Sequence, residues 1–293
     1  MSAFGYFGSK LRLAFKLRDE LPPHVAWVDL FCGSAAMTLV KPPAPIEIIN
    51  DLNGDIVNFF KQLRDNSEQL RERILLTPYA REEFEVSRHP GKRSDNMERA
   101  RQFFVAAMMA INGSFGTAAG GFSRSNSYIR NGMEARVSRW NAMPEYLEQV
   151  IARLRRIRVE KRDAIELLRD FRKRPATLVY LDPPYLGQRA QGYDVDQSSR
   201  EFHQDLLDVA NSAKCMMFIS GYESDLYTSA LTTRRGWVKR EISSMTKGHN
   251  GKTEKRTEVV WFNRAYSGAR KRGRVPIRLT KTEIKENKIN PLR

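Results

Sequence analysis

The residues best placed to do chemistry are Asp182 and Tyr185, held apart by Pro183 and Pro184 in the stretch Leu181-Asp182-Pro183-Pro184-Tyr185. Each proline fixes φ and lacks an N–H, so this turn is stiff and cannot continue as helix. The carboxylate of Asp182 accepts hydrogen bonds, while the phenol of Tyr185 offers a stacking face. A planar amine satisfies both at once: its N–H meets the carboxylate and its ring lies on the phenol. An exposed adenine is such a group, which makes Asp182, Pro183, Pro184 and Tyr185 the candidate catalytic residues.

The elements that must position them are strands delivering polar groups to one edge. Ala176-Thr177-Leu178-Val179-Tyr180 reads as a buried strand ending at Asp182. Ala26 to Met37 reads as a strand, a small-residue turn and a helix start, with Asp29, Phe31, Gly33 and Ser34 at the turn. Such a joint makes room for a nucleoside in a doubly wound α/β fold. Asp29 can accept from an ammonium or hydroxyl, and Gly33 permits close approach. A third strand, Ile46 to Asn50, leads to Asp51 and Asn53. Asp51 lies 18 positions beyond Gly33, where an acidic residue binds the two hydroxyls of a ribose. Asp55 reads as a cap for the helix that follows. Asp163, after the strand Ile157 to Glu160, is placed equally well to meet a nucleobase edge or to cap the next helix. Near the N-terminus, Tyr6 and Lys10 offer a stacking face and a cation among glycines.

The β-α alternation is interrupted. Residues 55–76 carry one helical apolar stripe, Ile56, Phe59, Phe60, Leu63, Leu70 and Ile74. From Thr77 to about Val150 come a polar segment, a helix from Met97 to Ile111, and a loop rich in Gly, Ser and Asn. That loop and its flank hold Asn112, Phe115, Phe122, Arg124, Asn126 and Arg130. Aromatics can wedge between bases, amides pair with adenine edges, and arginines pair with guanine or phosphate. Alternation resumes after a helix at Pro144–Arg155. Leu186–Ser199 reads as a flap, and two closing strands, Trp237–Ile242 and Thr257–Asn263, flank a basic hairpin with Lys247, Lys252 and Lys255 suited to a phosphate backbone. The expected domains are 1–60 with 151–266, an insertion at 61–150, and a flexible basic tail at 267–293.

The 293 residues bury a sizeable core, and a net charge of +16 with pI near 10.0 favours polyanionic partners. Two cysteines in a chain this long do not make a disulfide framework, and the four histidines show no zinc spacing, so no metal is expected. The apolar runs are too short for a signal peptide core or a membrane span, which makes a cytoplasmic location the expectation.

In this order the motifs resemble those of the Dam-type, or D12-class, adenine-N6-specific DNA methyltransferases, from Tyr6-Phe7-Gly8-Ser9-Lys10 to Thr257-Glu258-Val259-Val260-Trp261-Phe262-Asn263. The resemblance implies a class I S-adenosylmethionine-dependent methyltransferase fold. That fold is Rossmann-like and mostly parallel, with an antiparallel closing strand and an inserted, mainly helical target-recognition domain. It implies S-adenosyl-L-methionine as cofactor, S-adenosyl-L-homocysteine as product, double-stranded DNA as substrate, base flipping, and a bacterial or phage origin. Tyr6, Lys10, Asp51 and Asp182 would contact the cofactor, Phe31 to Ser34 its methionine part, and Asp163 its adenine. One departure is Ala35, which stands where the family has a second turn glycine and fits only if its φ is not positive. A monomer is expected, with a dimer left open. An RNA adenine-N6 methyltransferase, a release-factor glutamine methyltransferase and a catalytically silent DNA-binding subunit are the alternatives; the glutamine enzymes favour Asn where this chain has Asp182 and lack the insertion.

Overall fold

The computed structural model describes residues 2–5, 10–88, 95–111, 121–186, 199–247 and 253–275, with 243–247 and 253–256 described by backbone alone. Its strands are β1 (Ala26–Asp29), β2 (Ile46–Asn50), β3 (Ile129–Arg130), β4 (Met133–Glu134) and β5 (Ile157–Glu160). They continue as β6 (Thr177–Leu181), β7 (Met216–Gly221), β8 (Val238–Lys247) and β9 (Thr253–Phe262). β3 and β4 form a separate hairpin, and the other seven form one sheet in the order β5-β2-β1-β6-β7-β9-β8. Pairing is parallel from β5 through β7 and antiparallel at β9 and β8. From β1 the chain winds outward through β2 to β5, then returns to lay β6 on the other side of β1. The strand order reverses there, and the crevice beyond the carboxyl ends of β1 and β6 is where such sheets bind ligands.

Both faces of the sheet's centre are covered, so β1, β6 and β7 are buried along their whole length, while the outer strands β5, β8 and β9 carry charged residues. Val28, Val179, Leu181, Met217 and Ile219 face α9 (Ala164–Phe171), α10 (Arg200–Asn211) and α11 (Asp225–Ala230). Trp27, Leu178, Tyr180, Met216 and Phe218 face α1 (Leu11–Leu17) and α12 (Arg264–Arg272), with Met37 of α2 (Ala36–Val40). A third cluster joins Ile49 and Ile157 of the sheet to α3 (Gly54–Asp65), α4 (Ser67–Leu76), α5 (Arg81–Arg88), α6 (Asn96–Met109), α7 (Ala135–Asn141) and α8 (Met143–Leu154). Its centre is aromatic, with Phe59 and Phe104 stacked at 5.4 Å. The helices of the interrupted region thus share a core with the sheet, and the boundary expected at 60/61 falls inside α3.

Several sequence expectations are corrected. The single helix over 55–76 is two, broken at Asn66 (φ −130°, ψ 41°), whose amide donates to Gln62 at 2.8 Å. Asp65, Asn66 and Ser67 all compete with the helix for backbone bonds. The break redirects α4 so that Leu70 and Ile74 still reach the shared core. The helix cap is Asn53, which accepts from Asp55 and Ile56 N–H; Asp55 instead pairs with Arg99. The polar segment after Thr77 contains α5, and the glycine-rich region ends in the β3–β4 hairpin and α7. The expected flexible tail begins as helix: Asn263 caps α12 and ties it to β7 through Met217 N–H and the Cys215 carbonyl, and Tyr266 and Ala269 are buried. Arginines around those two apolar positions hide the stripe. Residues 187–198 of the flap expected at Leu186–Ser199, and the tail beyond 275, lie outside the described residues.

Candidate active site

Four acidic residues meet at the carboxyl edge of the central strands, each placed by a strand end. Asp29 closes β1, Asp51 follows β2, Asp182 follows β6, and Glu258 arrives on the antiparallel β9. Asn50 braces this edge. Its amide donates to the carbonyls of Leu30 (3.1 Å) and Arg162 (3.0 Å), and its carbonyl accepts from Arg162 N–H.

Asp29 is buried, and its two oxygens differ. Oδ2 accepts from Thr38 Oγ1 at 2.8 Å, and Thr38 Oγ1 accepts in turn from Trp27 Nε1 at 2.8 Å. Oδ1 is buried with no hydrogen-bond partner among the described residues. Burial, reinforced by the charges of Asp182 and Asp51 and opposed by Thr38, pushes its pKa up to about 7. Asp51 spends its oxygens on backbone: Gly33 N–H donates to Oδ2 and Asn53 N–H to Oδ1, both at 2.9 Å. Burial raises it to about 6 against those bonds. Gly33 sits at φ 47° and Ala35 at φ 52°, so the condition for Ala35 to replace glycine without strain is not met. The left-handed turn costs a non-glycine residue about 1 kcal/mol, and Ala35, fully buried in the shared core, gives part of that back by packing.

Asp182 keeps 18% of its side chain exposed, and the contacts described for it fall on Oδ1: Ser220 Oγ at 2.9 Å and Lys10 Nζ at 3.4 Å. Burial, opposed first by Lys10, raises its pKa to about 6. Lys10 is itself buried. Its ammonium reaches Tyr185 Oη at 2.5 Å and Glu258 at 3.4 Å. Burial alone would lower its pKa, but Asp182, Tyr185 and Glu258 outweigh that and hold it above the ordinary lysine range. Tyr185 faces Tyr222, just beyond β7, with ring centroids 4.4 Å apart. Behind the Pro-Pro turn, buried His203 lies beside the Pro184 carbonyl and hydrogen-bonds Tyr227 Oη through Nδ1 at 2.8 Å.

The structure thus gathers Lys10, Asp29, Gly33, Ser34, Asp51, Asp182 and Tyr185 on one edge. Phe31 is half-buried against Phe202. Asn53 and Asp163 act as helix caps, Asp163 accepting from Ile165 and Glu166 N–H. Sequence reasoning missed Ser220, Glu258 and Tyr222, which are assigned by contact between strands far apart in sequence, and Thr38 and His203, which reach the edge from helices α2 and α10. The one signal was Ser220-Gly221-Tyr222, a small-residue strand end like those singled out elsewhere.

Of the expected DNA-binding residues, Arg124, Asn126 and Arg130 are exposed. Phe122 is not free to wedge between bases: it packs on Tyr79 (5.1 Å) and Phe84 (5.8 Å) beneath Arg81. Tyr6, Asn112, Phe115 and Lys252 and the side chains of Lys247 and Lys255 lie outside the described residues.

The family of D12 class N6 adenine-specific DNA methyltransferases matches residues 6–246. The chain belongs to this family. The methyltransferase therefore transfers a methyl group from S-adenosylmethionine to adenine N6 in DNA, on a seven-stranded, mostly parallel α/β sheet. No curated protein sequence matches it. The solved structures it is similar to include three at TM-scores too low to carry an argument about the site. The precorrin-8W decarboxylase of Methanobacterium thermoautotrophicum has 9% identity and a TM-score of 0.35, with 87% of this chain and 89% of that one covered. The precorrin-6y C5,15-methyltransferase of Geobacter metallireducens has 9% and 0.39, covering 89% and 97%. An S-adenosylmethionine-dependent methyltransferase of Agrobacterium tumefaciens has 10% and 0.39, covering 89% and 63%.

The donor set suits that cofactor. Around Asp29 Oδ1, a buried acceptor with no donor among the described residues, the described acids outnumber the cations, since Lys41 is committed to Glu47 at 2.6 Å. A ligand bearing an ammonium and a sulfonium supplies what this edge lacks.

Proposed function

We propose that the methyltransferase acts on an adenine rotated out of duplex DNA, with Asp182, the Pro-Pro turn and Tyr185 as its receptor. The observation that supports this most directly is the placement of Asp182. Its described contacts hold Oδ1, leaving Oδ2 to accept from the incoming N6, while the half-buried Tyr185 and Tyr222 offer aromatic faces beside it.

Asp29 would hold the cofactor ammonium, Asp51 the ribose, and the turn from Phe31 to Ser34 the methionine part, with Lys10, Asn53 and Asp163 near its rim. Bound there, the cofactor supplies an activated methyl on sulfur. The N6 lone pair is delocalised into the base, and hydrogen bonds from N6 to Asp182 and to a carbonyl of the Pro-Pro turn favour the pyramidal form that restores it. As the methyl group passes to N6 and the electron pair of the S–C bond stays on sulfur, Asp182, accepting from N6, would take the N6 proton or pass it to water. Positioning and fixed charges carry the rate, with no covalent enzyme intermediate.

Residues 61–150 would read a short sequence context. The β3–β4 hairpin supports this reading: Asn131 (φ 52°) and Gly132 (φ 74°) make a two-residue turn of the kind that fixes hairpins. It leaves Tyr128 at 68% and Ile129 at 72% exposure beside exposed Arg130, an apolar tip with a cation.

A tritiated-methyl assay on duplex DNA, with 2-aminopurine fluorescence at the target base, tests the proposal. The wild type should methylate DNA and unstack the base. Asp182→Ala should bind cofactor, keep its melting profile and transfer no methyl; an active, folded variant would sink the assignment.

A further inference from the structure

We infer that Ser220 is a positioning residue for methyl transfer: its hydroxyl orients Asp182 so that Oδ2 is presented to the adenine amine. This rests on the proposed role of Asp182. Ser220 is fully buried near the end of β7, the strand beside the one that carries Asp182. Its Oγ lies 2.9 Å from Asp182 Oδ1 and 2.8 Å from Tyr180 Oη.

A serine hydroxyl has one proton. Given to ionised Asp182, it leaves Ser220 Oγ as acceptor for the Tyr180 O–H, and the three groups form a directed chain from Tyr180 through Ser220 to Oδ1. Tyr180 is anchored in turn by stacking on Phe218 at 4.6 Å, so the chain starts from a ring that cannot swing. Lys10, the other partner of Oδ1, stands 3.4 Å away and is shared with Glu258 and Tyr185, so Ser220 makes the closer, more directional contact. The same construction recurs at Asp29, where Thr38 donates to one oxygen and accepts from Trp27. Two strand-end carboxylates are thus each held on one oxygen by a hydroxyl that is itself pinned by an aromatic donor, with the other oxygen turned away from it.

The charges and phenols facing Asp182 are Lys10, Glu258, Asp29, Tyr180, Tyr185 and Tyr227. A substitution at Ser220 leaves all six in place, so a change in Asp182 titration reports the lost donor. The donor favours the charged carboxylate, and its removal moves the acid limb of the rate profile to higher pH.

The test is steady-state methylation of duplex DNA from pH 5 to 9 by full-length Ser220→Ala, Ser220→Cys, Ser220→Thr and Asp182→Asn. Cofactor-induced thermal shift serves as the folding check. Ser220→Ala should lose about tenfold or more in kcat, the scale of one bond to a charged group, with KM for DNA and cofactor within about twofold. Its acid limb should rise by roughly one pH unit. Ser220→Cys, a weak donor of similar size, should fall between, and Ser220→Thr should recover both kcat and the limb. A Ser220→Ala enzyme with unchanged kcat and limb overturns the inference. So does a loss of kcat without a limb shift that threonine fails to restore, which is what mere core damage gives. If Ser220→Ala does not fold, Cys and Thr decide by the same readings. An active Asp182→Asn instead overturns the role of Asp182 itself.

Discussion

Thr38 Oγ1 donates to Asp29 Oδ2 at 2.8 Å, while Oδ1 of the same carboxylate is buried with no donor among the described residues. The proposed cofactor site is therefore prepared on one side and open on the other. Thr38→Val removes the donor at nearly constant volume and leaves Trp27 N–H without its acceptor. Cofactor affinity should fall about tenfold, by the scale of a hydrogen bond to a charged group, with kcat at saturating cofactor largely kept. Calorimetric titration measures it, and Thr38→Ser should recover most of the loss.

Asp29, Asp51 and Asp182 titrate at about 7, 6 and 6 in the folded protein, above the ordinary value of 3.8. Folding takes up protons between these limits, so the free protein should lose stability as pH rises from about 4 to 7 and level off above. A cation bound against Asp29 reverses the balance, because binding then releases protons. Cofactor affinity should climb with pH up to about 7. Calorimetry at pH 6.5 in buffers of different ionisation enthalpy should show proton release; none would contradict the placement of the ammonium.

At Ala35 three terms nearly cancel. Glycine would relieve about 1 kcal/mol of left-handed strain, but it forfeits about 0.8 kcal/mol of methyl burial and loosens the unfolded chain at a cost of about 0.5 kcal/mol. Ala35→Gly should therefore shift stability by less than about 1 kcal/mol and keep cofactor binding. Ala35→Val, β-branched at φ 52° in a fully buried site, should cost several times as much. Chemical denaturation of the two variants separates the cases.

Gly132→Val should break the β3–β4 turn, since φ 74° excludes a β-branched residue. DNA binding should weaken while cofactor binding stays intact. Arg130→Ala should reduce the salt dependence of DNA binding by about one unit of slope if the guanidinium sits on phosphate. Fluorescence anisotropy from 50 to 200 mM salt reads both.

Much of the sheet was legible because its strands are short apolar runs that end in a polar residue, and the carboxyl edge could be located from Asp29, Asp51 and Asp182 alone. What stayed hidden depends on pairing at a distance. Ser220 looks like any strand serine until β7 lies beside β6, and Glu258 like any charge in a closing strand until it meets Lys10. Phe122 shows the reverse error: its glycine-rich neighbourhood reads as solvent-facing, but Tyr79 and Phe84, on either side of the turn into α5, claim the ring. Asn53 and Asp163 are of a third kind, since a strand-end acid or amide can cap the next helix and stand near a ligand without contradiction.

The pairing of β1 with β6 also sets when the protein becomes competent during synthesis. Ala26 waits for Thr177, and Asp29 for Tyr180, across the whole intervening helical region. Closing a loop of that size is slow compared with forming local helices. A nascent chain that has emerged only through α8 should pack Phe59 against Phe104 yet hold half a crevice, with no second wall to grip the cofactor. Ser220 and Glu258 come later still, so the ability to methylate should appear abruptly, only once β9 has left the ribosome.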